Sequence, residues 1–116
     1  MVEKQHYETV IQGMREAVLN GTCAEANLPG FEVCGKTGTA QNKGKDHSAF
    51  MGFAPMNEPK IAVAVYVENG GFGAVYGVPI GALIMEQYLT GTLSEESEEK
   101  ARKIQQRTIY YGSQER

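Results

Sequence analysis

An α+β fold, built as a three-stranded antiparallel sheet with flanking helices, follows from three features of the sequence. Apolar residues recur at helical spacing near both ends, from Tyr7 to Val18 and from Ile80 to Tyr88. Between them lie three strand-like runs, at residues 31–40, 50–54 and 61–67. The links between the runs, Gln41 to Asp46 and Pro55 to Pro59, are short enough for hairpins, so consecutive strands are expected to be antiparallel.

Composition sets the outer bounds. With 116 residues, 41% hydrophobic and 22% charged, the chain lies in the ordinary globular range and has room for one small core. A net charge of −3 supplies no basic patch, so nucleic acid is not an expected partner. No run of about 18 apolar residues and no charged-then-apolar leader occurs, so this segment is expected neither to contact a membrane nor to carry an export signal. Cys23 and Cys34 are too few for a disulfide scaffold or a zinc site, and neither His6 nor His47 lies at ligand spacing from them, so no metal is expected. They read as small buried hydrophobes, with a disulfide open to them in an oxidising compartment.

The first helix is expected to bury Tyr7, Val10, Ile11, Met14, Ala17 and Val18, with Asn20-Gly21 as its stop. Ala24 to Gly30, containing Asn27 and Pro29, reads as a connecting loop, and the first strand follows from Phe31. Phe50 to Ala54 and Ile61 to Val67 are apolar on both alternating faces, which predicts a sheet covered on both sides by helices. Ala62 and Ala64 would admit a close helix, while Ile61, Val63, Val65 and Val67 fill the thicker side. Asn69 to Gly73 breaks the third strand; Pro79 opens a second helix with Ile80, Leu83, Ile84 and Tyr88 as its apolar face, and Gly91 ends it. Residues 1–92 thus form one unit. Residues 93–116 read as a polar charged tail, glutamates first and bases after, with Thr92 and Glu95 as a capping box and only marginal helix.

Chemistry converges on Gly35-Lys36-Thr37-Gly38-Thr39-Ala40. On an extended strand Thr37 and Thr39 point the same way, with Gly38 between them. Two hydroxyls and a lysine then frame bare backbone, against which an extended peptide ending in a carboxylate could lie. A competing reading takes Gly30 to Thr37 as a phosphate loop, G-x-x-x-x-G-K-[ST], with Ile61 to Val67 and Glu68 as the accompanying strand and acid. Against it stand the loop-like residues before Gly30, the glycines after Lys36 and the bulk of Phe31 to Cys34.

Lys36-Thr37-Gly38 also resembles the K-T-G motif of the penicillin-recognising enzymes, which combine it with S-x-x-K and S-x-N elements. Around it, Met14-Arg15-Glu16-Ala17-Val18 with Gly21-Thr22, His47 to Pro55 and Pro59 to Gly70 resemble the helix and next two strands of the class B penicillin-binding proteins, most nearly the penicillin-binding protein 2 group of elongation transpeptidases. The likeness covers about four-fifths of the chain. Ala49 departs from it, since many members have tryptophan there.

The resemblance implies the C-terminal part of a β-lactamase/transpeptidase-like domain, whose five-stranded sheet would be represented here by three strands. It implies a D,D-transpeptidase on the periplasmic face of the bacterial inner membrane, cross-linking peptidoglycan stem peptides without a cofactor. Lys36 would supply positive potential and a bond to the S-x-N serine. Lys36, Thr37, Gly38 and Thr39 would line the substrate site, both threonine hydroxyls holding the terminal carboxylate of D-alanyl-D-alanine or of a β-lactam, and the Thr39 backbone N–H would be half of the oxyanion hole. The remainder of the transpeptidase domain would be the chain's partner. No serine here fits the nucleophile: Ser97-Glu98-Glu99-Lys100 spells S-x-x-K but follows the K-T-G strand and sits among glutamates. The isolated chain is therefore expected to be inactive. A noncatalytic module that senses β-lactams or peptides is the other reading of that absence.

Overall fold

A computed structural model describes residues 2–109. In order come α1 (Lys4–Asn20), a short 3-10 turn (Ala24–Ala26), β1 (Cys34–Ala40), β2 (His47–Ala54), β3 (Ile61–Val67), α2 (Gly77–Thr90) and α3 (Glu95–Gln105). The sheet runs β1-β2-β3 and is antiparallel throughout, with Thr37 opposite Phe50 and Phe50 opposite Val65. The expected class and strand order are therefore present. Lys36 lies inside β1, and the next element is β2 and not a helix, so the phosphate-loop geometry is absent.

Two strand boundaries differ from expectation. β1 begins at Cys34, because the backbone before it is committed elsewhere: Phe31 N donates to the Leu28 carbonyl at 3.0 Å and Val33 N to the Phe31 carbonyl at 2.8 Å. The Val33 carbonyl accepts from Arg15 Nη1 of α1 at 2.9 Å, which fastens the helix to the entrance of the strand. β2 starts earlier than expected, at His47, so that its full length pairs with β1 from Ala40 to Cys34.

The core lies on one face of the sheet. Ser48, Phe50, Gly52 and Ala54 of β2 are buried there, under α2. Val78, Ala82 and Met85 of α2 are buried, with Leu89 packed beside them, a stripe at helical spacing. This corrects the expected face: Ile80 and Leu83 are half-buried, and Ile84 and Tyr88 are 46% and 63% exposed. Contact with the sheet favours small residues, since a Cβ on Gly81 would come within 2.5 Å of the Phe50 ring. Bulk at that position would hold the helix away from the sheet and open a void around Phe50.

The opposite face is largely open among the described residues. Ala62, Ala64 and Tyr66 of β3 are exposed, as is Met51, so the helix expected over the alanines is not there. α2 instead lies on the valine side of β3. α1 packs chiefly on β1, burying Val18 and half-burying Ile11, Met14 and Ala17, while Tyr7 and Val10 stay exposed. Its expected stop is observed, with Gly21 N bonded to the Ala17 carbonyl.

α3 is a formed helix of 11 residues, not marginal structure. Its cap is Ser94, not Thr92: Ser94 Oγ accepts from Ser97 N at 3.1 Å, and three glutamates occupy the first turn while Arg102 and Lys103 occupy the last. Glu86 of α2 accepts from Ser94 N at 2.9 Å and from the Ser97 hydroxyl, joining the two helices. The last stretch of the tail, residues 110–116, lies outside the described residues. Both cysteines are buried and free, as small hydrophobes would be. No helix among the described residues is long and apolar enough to cross a membrane.

Candidate active site

Among the described residues β1 has β2 on one side only, so alternate residues along it direct N–H and C=O groups to an unpaired edge. Lys36, Thr37, Gly38 and Thr39 lie together near the middle and end of this edge strand. Lys36 and Thr39 are exposed, and Thr37 and Gly38 are half-buried. Strand alternation places Thr37 and Thr39 on the core face and Lys36 and Gly38 on the other, as their register opposite Phe50, Ser48, Met51 and Ala49 requires. The lysine nevertheless reaches the strand's own backbone, Nζ donating to the Thr37 carbonyl at 2.6 Å. A Cβ on Gly38 would meet only the Ala49 Cβ, at 3.6 Å, so the strand there is approachable.

The core side of the strand is closely buttressed. Cys23 is fully buried, and its Sγ would lie 3.3 Å from a Cβ on Gly35. Burial pushes the Cys23 thiol up from its ordinary pKa, against smaller opposing effects from the Thr22 hydroxyl, the Lys36 charge and a Thr37 backbone bond. Thr22 Oγ1 lies 3.0 Å from Thr37 Oγ1. Gly73 abuts the same strand: a Cβ there would be 2.5 Å from the Ala49 carbonyl oxygen, 2.9 Å from that of Gly38 and 3.0 Å from Thr37 Cβ.

Ser48 holds this arrangement in place. Its hydroxyl, fully buried, donates to the Phe72 carbonyl at 2.9 Å and accepts from Gly77 N at 3.1 Å, so one side chain spans the connection from β3 to α2. At the far end of the strand, Asn42 Nδ2 donates to Asn69 Oδ1 at 2.8 Å, and Gly71 N donates to the Asp46 carbonyl at 2.8 Å. His47 Nδ1 accepts from Asn69 N at 3.0 Å, and its ring centroid is 5.3 Å from that of Tyr66. Histidine here is structural, joining the two loops that flank the end of β1.

Sequence reasoning found Lys36, Thr37, Gly38 and Thr39 on one strand, and the structure does bring them together. It assigned no role to Thr22, Ser48 or Gly73. A Gly-Thr pair after a helix stop carries no mark of a hydroxyl contact made across 15 positions. The literal S-x-x-K does not join the site. Ser97 is in the first turn of α3, with Ser94 and the Glu86 carboxylate as its hydroxyl's partners, an end-cap and not a nucleophile beside a desolvated base.

Comparison with known proteins matches residues 1–88 to the penicillin binding protein transpeptidase domain family. Peptidoglycan D,D-transpeptidase PbpA of Mycobacterium tuberculosis is 40% identical over 75 residues, which are 55% of this chain and 15% of that protein. MrdA of Acinetobacter baumannii, also a peptidoglycan D,D-transpeptidase, is 41% identical over 80 residues, 52% of this chain and 12% of the relative. The imipenem acyl-enzyme complex of M. tuberculosis penicillin-binding protein A superposes with a TM-score of 0.68 at 34% identity, covering 77% of this chain and 20% of that one. Pseudomonas aeruginosa PBP2 gives a TM-score of 0.67 at 37% identity, covering 83% and 23%. This chain therefore spans under a quarter of the length of each of these relatives.

Proposed function

This chain belongs to the penicillin binding protein transpeptidase domain family, and from that premise we propose that β1 is the substrate-binding wall of a D,D-transpeptidase active site. The observation that carries the reading is the unpaired edge of β1, on which Lys36, Thr37, Gly38 and Thr39 stand together with open backbone at the glycine. The substrate is a peptidoglycan stem peptide ending in D-alanyl-D-alanine, and a β-lactam occupies the same place. The Thr37 and Thr39 hydroxyls donate to the terminal carboxylate while the Lys36 ammonium supplies attraction, since hydrogen bonds to an ionised acceptor are the stronger kind.

Thr37 and Thr39 are two apart and so direct their backbone groups to the same side of the strand. We infer that the side on which the Lys36 ammonium reaches the Thr37 carbonyl, at 2.6 Å, is the unpaired edge, which would present the Thr39 N–H to a ligand. It is one of the two donors for the oxyanion that forms when a serine hydroxyl attacks the penultimate carbonyl. The serine, its lysine base and the S-x-N element belong to the remainder of the domain. The attack expels the terminal D-alanine and leaves a serine ester, which an amine of a neighbouring stem peptide then takes up. Such a reaction places the complete protein at the periplasmic face of the inner membrane, where the cell wall is built.

The test is made in the complete transpeptidase domain containing this chain. Lys36→Ala should slow acylation by benzylpenicillin by about 10- to 100-fold, the loss expected for a charged hydrogen bond. Removing the Thr37 hydroxyl should cost less. Equal acylation rates in the Lys36→Ala and unaltered domains would refute the assignment.

A further inference from the structure

We propose that Thr22 is a positioning residue for this site, setting the direction in which the Thr37 hydroxyl donates. The inference rests on the proposed role of Thr37 as a carboxylate ligand and goes beyond it to a residue outside the motif. Thr22 Oγ1 and Thr37 Oγ1 are 3.0 Å apart, and both belong to backbone that is held firmly. Gly21 N and Cys23 N both donate to the Ala17 carbonyl, at 3.1 and 3.0 Å, so the turn carrying Thr22 is closed on either side of it. Cys23 is then locked beneath β1 by complete burial, which keeps its neighbour at the strand.

A hydroxyl has one proton to give and two lone pairs to receive with. Were the Thr37 proton turned toward Thr22, an arriving carboxylate would meet oxygen lone pairs and no donor. When Thr22 donates to Thr37, the Thr37 proton is left for the ligand, and a hydroxyl that accepts a bond becomes a better donor. A carboxylate has no proton and therefore selects the second arrangement. Thr22 makes that arrangement available, because its hydroxyl lies 3.0 Å from that of Thr37 and can donate to it once the Thr37 proton turns to the ligand. Thr22 acts on the ligand only through Thr37.

The experiment measures acylation by benzylpenicillin in the complete transpeptidase domain containing this chain, separating the half-saturating concentration from the maximal rate. Thr22→Val should raise the half-saturating concentration about 3- to 10-fold, the scale of one neutral hydrogen bond, and leave the maximal rate nearly unchanged. Thr22→Ser should restore binding, because it keeps the hydroxyl. In a Thr37→Val background, Thr22→Val should add nothing, whereas a role in packing alone would act equally in both backgrounds. Thr22→Ala, which removes the same hydroxyl without adding a branch, is measured beside it and carries the test where the valine variant does not fold. Normal saturation in Thr22→Ala and Thr22→Val with weakened saturation in Thr37→Val would overturn this inference and leave the site intact. Unaltered saturation in Thr37→Val would overturn the carboxylate role of Thr37 and this inference with it.

Discussion

Cys23 and Cys34 hold their protons more tightly in the fold than an exposed thiol does. Burial is the main cause for both; the Arg15 charge opposes it at Cys34 and Glu32 adds to it. In the unfolded chain each thiol ionises near its ordinary value of 9.0, whereas in the native chain it stays protonated to higher pH. The native state therefore binds more protons in that window, and stability is complete below pH 9 and falls as pH rises through the folded values. Urea titrations from pH 8 to 10 should show this decline, and Cys34→Ala should make it shallower, leaving the part due to Cys23. At the same scale, Thr37, Gly38 and Thr39 were legible in the sequence because the two-residue period of a strand decides which side chains share a face. Thr22 and Gly73 were not, because their contacts with β1 depend on how a turn and a loop settle against it.

α3 shows what periodicity omits at the scale of an element. With Ala101 and Ile104 as its few apolar residues it promises little burial, and none of its residues is buried. It forms because its ends are satisfied: Ser94 caps the amide of Ser97, Glu86 holds both serines from the neighbouring helix, and Arg107 Nη1, just past its C-terminus, donates to the Val75 carbonyl at 2.9 Å. Arg107 also lies 5.0 Å from the Tyr76 ring centroid. Ser94→Ala should therefore destabilise the helix by about 1 kcal/mol, the usual worth of such a cap. Faster amide exchange at Ser97 and Glu98, with β2 unaffected, would register it; unchanged exchange would assign the end of the helix to Glu86 alone. The buried face of α2 departs from the expected one for the opposite reason. Counting large apolar residues selected Ile84 and Tyr88, while the contact that fixes the helix is made by Gly81 against Phe50.

At the scale of the molecule, no serine among the described residues is placed as a nucleophile beside a buried base. Ser48 is buried and committed to Phe72 and Gly77, and Ser94 and Ser97 are committed to the start of α3; Ser113 lies outside the described residues. Incubated with a fluorescent penicillin and then denatured, the isolated chain should show no adduct by mass spectrometry, while the complete domain should gain the mass of one penicillin. An adduct at Ser97 would restore the literal S-x-x-K as a nucleophile. The sheet order was readable because its hairpin links are short; the open face of Ala62, Ala64 and Tyr66 was not, since apolar alternation reports what a strand prefers and not which neighbour covers it. Gly73 brings these scales together. Because any side chain there would press on the carbonyls of Ala49 and Gly38 and on Thr37, a change at this position displaces β1 and moves Lys36, Thr37, Gly38 and Thr39 together. On the role proposed for β1, a substitution at position 73 weakens β-lactam and natural substrate together, so it opens no route to antibiotic resistance.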